Sequence, residues 1–245
     1  MSERKGNPVP QPAMQSMFDR IAPVYDAMNT LMTGGLDARW RRAAIAAARL
    51  RPGMRVLDVA CGTGQLARAA AAEVGEVGEV IGLDLSVGML RRAARVRPVP
   101  GAAVPRYLAG DALALPFPAA ATGHGFDAVT MGFGLRNMPD YAASLAEMYR
   151  VLVPGGRLVV LEIAAPRGGL AQLLYRAWFQ RTVPLLGALM RHGPAYRYLP
   201  DSLLRYPAPE RIAELLRGAG LRGVTWRRLP SGMATLHVGT RRVAP

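Results

Sequence analysis

Apolar residues in this chain repeat in two rhythms, and the changes between them outline the fold. Met17, Ile21, Val24, Tyr25, Met28, Leu31 and Met32 fall on one side at helical spacing, predicting one helix over Met14–Met32. A second helix is predicted over 37–50. Short continuous apolar runs then alternate with helical patterns: strand 55–59, helix 65–73, strand 80–84, helix 87–96, strands 105–109 and 126–131, helix 140–152, strand 157–162. Strands spaced by helices predict a mostly parallel sheet with helices on both faces. Pro154-Gly155-Gly156 marks a turn between helix and strand. A helix over 209–219 and two β-like runs, 223–229 and 233–241, joined at Pro230-Ser231-Gly232, predict a closing antiparallel hairpin. The expected architecture is α/β and Rossmann-like, a single domain over 13–245 with helices added at 13–50. The polar stretch 1–12, which holds three prolines, is expected to be a loose arm.

The first strand runs into Asp58-Val59-Ala60-Cys61-Gly62-Thr63-Gly64, and the second ends on Asp84-Leu85. Glycine permits positive φ and close backbone approach, so a ligand can lie against the turn. A carboxylate about 20 residues after such a turn, at the tip of the next strand, is placed to bond a ribose. The ligand is therefore expected to be a nucleoside cofactor. The spacing is not G-x-G-x-x-G, since Ala67 takes the place of the third glycine. Asp58, just ahead of the turn, suits a cationic amino group and would not help a pyrophosphate. An acid before the glycines and a second-strand Asp form the pattern of S-adenosylmethionine (SAM) methyltransferases. Ligands of open parallel sheets lie beyond the carboxyl ends of the strands. Asp111-Ala112 is thus expected at the adenine edge, and the segment 132–137, after the fourth strand, on the same cleft. Arg136 and Asn137 end that segment, where buried polar groups need partners.

Composition adds charge to this picture. The net charge is +14, and every basic residue except Lys5 is arginine. The ranges 38–57, 163–200 and 215–245 hold arginines and no acid. Such fields favour anionic partners, nucleic acid or an anionic lipid surface. The amino end has no apolar signal-peptide core, and a single cysteine, Cys61, fits a reducing compartment; a cytoplasmic protein is expected. Arginines and Pro184 interrupt the apolar stretch 170–190, so no membrane span is expected. That stretch suits a cover over an apolar ligand, a helix on a membrane surface, or a core helix. His124, His192 and His237 lack metal-ligand spacing, and no metal is expected.

The chain resembles the menaquinone/ubiquinone biosynthesis C-methyltransferases of the UbiE/MenG type. The resemblance is carried by Phe18-Asp19-Arg20-Ile21-Ala22 with Tyr25-Asp26 and Asn29, by Val56–Gly64, and by Gly110-Asp111-Ala112. It continues through Gly132–Asn137, Glu147–Leu152, Pro154–Arg157, Tyr196–Leu199 with Pro200 and Ser202, and Gly232–His237. The chain departs from the family's pattern at Gln65, at Ala119–Gly125, and at Glu162-Ile163-Ala164. The resemblance implies the class I SAM-dependent methyltransferase fold, with SAM as cofactor. It implies methylation of a ring carbon of a polyprenyl quinol, demethylmenaquinol or a ubiquinone-pathway benzoquinol. It further implies that Thr63, Asp84, Asp111 and Ala112 hold SAM with Gly132 near it; Tyr25, Arg136 and Asn137 are the candidates for the quinol oxygens. Peripheral contact with an anionic membrane is expected, with 163–205 as a substrate cover. The rival substrate is nucleic acid. Exocyclic-amine enzymes carry (Asp/Asn/Ser)-Pro-Pro-(Tyr/Phe) where this chain has Asn137-Met138-Pro139-Asp140, and no RNA-binding module is appended, so no nucleic-acid partner is expected. Whether copies assemble into a homo-oligomer stays open from sequence.

Overall fold

The computed structural model of the chain describes residues 6–120, 124–164, 168, 202–203 and 205–243. The helices are α1 (Gln11–Ile21), α2 (Tyr25–Thr33), α3 (Leu36–Ala48), α4 (Gln65–Val74), α5 (Val87–Ala94), α6 (Tyr141–Val151) and α7 (Pro209–Gly218). The strands are β1 (Arg55–Val59), β2 (Glu79–Asp84), β3 (Arg106–Ala109), β4 (Phe126–Gly132), β5 (Leu152–Ile163), β6 (Arg222–Arg228) and β7 (Ala234–Thr240). They form one sheet in the order β3-β2-β1-β4-β5-β7-β6. Pairing is parallel from β3 through β5, and β7 runs antiparallel to both β5 and β6.

Each sheet face buries its own apolar layer because successive strand residues point to opposite sides. On one face Val56, Val159 and Leu161 pack with Trp40 and Ile45 of α3 and Leu66 and Ala70 of α4. On the other, Leu57, Val59, Val129 and Val160 meet Leu145 and Met148 of α6 and Ile212 and Leu216 of α7. Strands covered on both sides read as unbroken apolar runs, which is why the sequence pattern located them.

Three expectations change. The helix expected over 14–32 is two helices, because Pro23 has no N–H to donate and its ring crowds the preceding turn. Pro12, by contrast, sits in the first turn of α1, where a missing N–H costs little. The Pro154–Gly156 turn is the irregular start of β5, with Gly155 at φ 80° and its N–H bonded to Arg241. The arm expected to be loose is tied down from Gly6 onward. Asn7 is buried, its N–H donating to Met138 O at 2.7 Å and its side-chain amide to Arg136 O at 3.2 Å. Gly6 lies against Pro139, where a Cβ would come within 2.3 Å of the proline carbonyl. Residues 1–5 and nearly all of the expected cover at 163–205 lie outside the described residues.

Candidate active site

Strand order reverses between β1 and β4, and the loops after β1, β2, β3 and β4 meet in one cleft of about 730 Å³. Tyr25, Gly62, Asp84, Leu85, Asp111, Ala112, Gly132 and Asn137 all line it. Helix α1 roofs the cleft with Gln11, Met14, Gln15 and Phe18. Backbone strain gathers at the floor: Ala60 and Phe133 hold φ of 53° and 62° without being glycine. A Cβ on Gly134 would stand 2.7 Å from the Ala60 Cβ, so the β1 and β4 loops need that glycine to touch.

The three carboxylates occupy different environments. Asp84 spans two turns, accepting the Gly62 N–H at one oxygen and the Ser86 N–H at the other, each at 2.8 Å. Burial pushes its carboxyl above the usual range, opposed by those two hydrogen bonds. Asp111 accepts the Gln11 side-chain amide at both oxygens, 3.0 Å each, and its own turn's Leu113 N–H at 2.9 Å. Asp58 is fully buried between β2 and β4. Its Oδ1 accepts the Thr130 hydroxyl at 2.7 Å, and its Oδ2 has no partner among the described residues. Burial raises its carboxyl to about 7.

Four of the residues expected at the site, Asp58, Thr63, Gly64 and Arg136, do not line the cleft itself. Asp58 and Thr63 line a second, smaller chamber behind the glycine turn, which shares Tyr25, Ala60, Gly62 and Gly132 with the cleft. The Thr63 hydroxyl donates to Asp26 Oδ1 at 2.6 Å, fastening α2 over the turn. Gly64 lines neither space. It begins α4 at φ 76°, and a Cβ there would meet the Tyr107 hydroxyl at 2.4 Å. Arg136 turns inward, with its guanidinium donating to Phe133 O at 2.7 Å and to the carboxylate of Glu162. Glu162 also accepts the Arg136 N–H at 3.2 Å, and neither side chain reaches the surface.

Glu162, Arg41, Asp26 and Gln11 had no assigned role in the sequence reading. Glu162 left a signal, being the one charge in the run Leu158-Val159-Val160-Leu161-Glu162-Ile163. An acid in a strand buried on both faces demands a partner. Arg41 left none, because it sat within a basic cluster that looks like surface charge. In the structure it is buried.

A cationic amino group would complete the buried Asp58 oxygen that lacks a partner among the described residues, and a nucleoside would fit the glycine floor near Asp84 and Asp111. Asp58, Asp84, Asp111, Ala112 and Gly62 would hold SAM. Comparison with known proteins bears on this fit. Residues 7–241 match the model of the ubiE/COQ5 methyltransferase family. The demethylmenaquinone methyltransferase of Thermus thermophilus is 47% identical, over 92% of this chain and 100% of that one. Its counterpart in Deinococcus radiodurans is 45% identical over 94% and 93%. The ubiquinone/menaquinone biosynthesis C-methyltransferase UbiE of Geobacter sulfurreducens is 39% identical over 93% and 88%. Among solved structures, a SAM-dependent methyltransferase from Aquifex aeolicus superposes with a TM-score of 0.62 at 17% identity, covering 88% of this chain and 97% of that one. The [4+2]-cyclase SpnF superposes with a TM-score of 0.68 at 20% identity, covering 98% and 100%; these two likenesses speak for the fold alone. By sequence over nearly its whole length, the chain belongs to the ubiE/COQ5 family of methyltransferases, with SAM as cofactor.

Proposed function

We propose that the protein methylates a ring carbon of a polyprenylated quinol, converting demethylmenaquinol to menaquinol. The observation that carries this reading is that Asp84, Asp111, Tyr25 and Asn137 line one cleft. Bound SAM supplies a methyl group already activated by its sulfonium. The chain's work is then alignment and charge control. Asp58 would take the ammonium, Asp84 the ribose, and Asp111 with Ala112 the adenine edge. Tyr25 and Asn137 are the polar groups that would reach the quinol oxygens. A quinol carbon attacks better as its neighbouring hydroxyl loses a proton, and donors aimed at that oxygen favour the charge that develops. Arg136 stays charged and is a poor base. Its bonds to Phe133 and Glu162 suit it to hold the 133–137 loop in place behind the cleft.

A benzoquinol of the ubiquinone pathway is the second reading, favoured by relatives that carry the dual ubiquinone/menaquinone name. Incubation with methyl-labelled SAM and each quinol in turn, with mass analysis of the lipid product, separates the two. Label in neither lipid would sink the proposal.

The lipid tail of such a substrate supports peripheral contact with an anionic membrane surface. Among the described residues no helix is long and apolar enough to cross a membrane. Arginine side chains would supply the attraction, each adding about 1 kcal/mol near an anionic surface. Co-sedimentation with anionic vesicles that weakens as salt rises is the expected result. No binding at any salt would remove this part of the reading.

A further inference from the structure

The motif Phe18-Asp19-Arg20-Ile21-Ala22 lies where the roof helix α1 ends, and only Phe18 of it lines the cleft. Asp19 is the odd member. An acid in the last turn of a helix faces the negative end of that helix's dipole and gains nothing there. Its Oδ1 serves another helix. It accepts the Ser86 hydroxyl at 2.6 Å and the Gly88 N–H at 2.8 Å, both at the start of α5. Ser86 in turn caps α5, its hydroxyl oxygen accepting the Met89 N–H at 3.2 Å. Asp19 and Ser86 thus divide between them two N–H groups that the first turn of α5 leaves open. The fit is close: a Cβ on Gly88 would stand 2.9 Å from Asp19 Oδ1 and 3.1 Å from its Cα.

The same serine is joined to the cofactor carboxylate. Its N–H donates to Asp84 Oδ1 at 2.8 Å, and the other Asp84 oxygen accepts the Gly62 N–H at 2.8 Å. A chain of hydrogen bonds therefore runs from α1 through Ser86 and Asp84 to the glycine turn. On the other side of Asp19 stands the substrate wall. Phe18 is its neighbour in sequence, and the Phe18 and Tyr25 rings meet edge to face with centroids 6.1 Å apart. Both rings pack against Ile21, Ala22 and the buried Met89 of α5. We propose that Asp19 is a positioning residue that ties the roof to the cofactor site, so that cofactor and quinol each favour the other's binding. The inference rests on the quinol reading above. A ribose held at Asp84 fixes Ser86, Ser86 fixes Asp19, and Asp19 sets the end of α1 that carries Phe18 and leads into Tyr25. Coupling between two sites is reciprocal, so a ring held by Phe18 and Tyr25 favours the same arrangement of Asp84. Asp19 itself does not line the cleft, and one oxygen accepts both of its hydrogen bonds. An asparagine, which keeps one carbonyl oxygen, can accept both; an alanine can accept neither.

The test is calorimetric and needs no turnover. S-adenosylhomocysteine stands in for the cofactor, and a naphthoquinol with one isoprene unit, kept reduced, for the lipid. Wild-type protein saturated with S-adenosylhomocysteine is expected to bind the naphthoquinol roughly tenfold more tightly than the free protein does, within the range usual for coupled sites. The naphthoquinol is expected to tighten S-adenosylhomocysteine by the same factor. Asp19→Ala is expected to cut that factor below about twofold, while Asp19→Asn keeps it. Ser86→Ala, which breaks the next link, is expected to lower the factor as well and serves if Asp19→Ala misfolds. Independent binding of the two ligands by wild type would overturn the inference without any variant. So would a factor that survives in both alanine variants, which would make Asp19 a cap for α5 and nothing more. A factor lost equally in Asp19→Asn and Asp19→Ala would overturn it too, by assigning the effect to charge. Failure of wild type to bind the naphthoquinol at all would instead remove the quinol reading, and the inference with it.

Discussion

The Glu162 carboxylate holds Arg136 twice, accepting its backbone N–H at one oxygen and its guanidinium at the other. Removing one member of such a buried pair strands the other's charge, at a cost of about 3–5 kcal/mol. Glu162→Ala is expected to lower stability by that order in urea unfolding. The double variant Glu162→Ala with Arg136→Met is expected to recover much of the loss, because no charge is then stranded. Methyl transfer should stay low in both. Full turnover in the double variant would show that neither side chain serves the reaction.

Asp58 makes the ligand-free protein sensitive to pH in an unusual direction. Burial raises its carboxyl to about 7, from an ordinary 3.8. Between those values the folded state holds a proton that the unfolded chain has released. Stability therefore falls as pH rises from about 4 to about 7, and levels off above. Burial pushes Asp84 the same way. Asp58→Asn is expected to flatten most of the slope in unfolding measured from pH 4 to 8. A slope unchanged in that variant would assign the effect to other groups.

Cofactor binding should report the same proton. An ammonium beside Asp58 favours the ionised form, so binding below about pH 7 releases a proton. Affinity then weakens toward tenfold per pH unit on the acid side. Calorimetry at pH 6 in two buffers of different ionisation enthalpy counts the protons directly. No release from wild type would place the ammonium elsewhere.

Gln11 occupies the oxygens of Asp111 that the adenine edge is proposed to meet. Gln11→Ala should remove this competitor and tighten S-adenosylhomocysteine binding by up to about tenfold, since a hydrogen bond to a charge contributes roughly 1.5–3 kcal/mol and water replaces part of it. Weaker binding would mean that the amide helps to hold the ligand.

Gly64 separates a folding role from a binding role. A side chain there is strained at φ 76° and collides with Tyr107. Gly64→Ala is expected to lower stability by about 1–3 kcal/mol. The surviving folded fraction should keep near-normal cofactor affinity. Intact stability with lost affinity would return Gly64 to the list of cofactor contacts.

The order of strands and helices was legible because β1, β4 and β5 are buried on both sides and read as unbroken apolar runs. The glycine turn and Asp84 were legible because their roles are local: a turn geometry, and a carboxylate one strand further on. What stayed hidden involves direction or distance. Nothing in Gly134-Leu135-Arg136-Asn137 says that Asn137 faces the cleft while Arg136 turns back to Glu162, 26 residues later. The Gln11–Asp111 contact joins residues 100 apart. Arg41 was masked by Arg39 and Arg42, since in a run of like charges composition cannot tell which one is buried. The break at Pro23 was visible in principle, and the regular apolar spacing on either side outweighed it.

The described chain starts as a tether with two anchorages. Gly6 and Asn7 are fastened to the segment beside the proposed quinol site, and Gln11 to the carboxylate beside the proposed adenine site. Only three residues separate Asn7 from Gln11, too few to give slack, so a pull at one anchorage reaches the other. Asn7 and Gln11 therefore couple the two proposed subsites: shortening or lengthening the three residues between them is expected to disturb both at once.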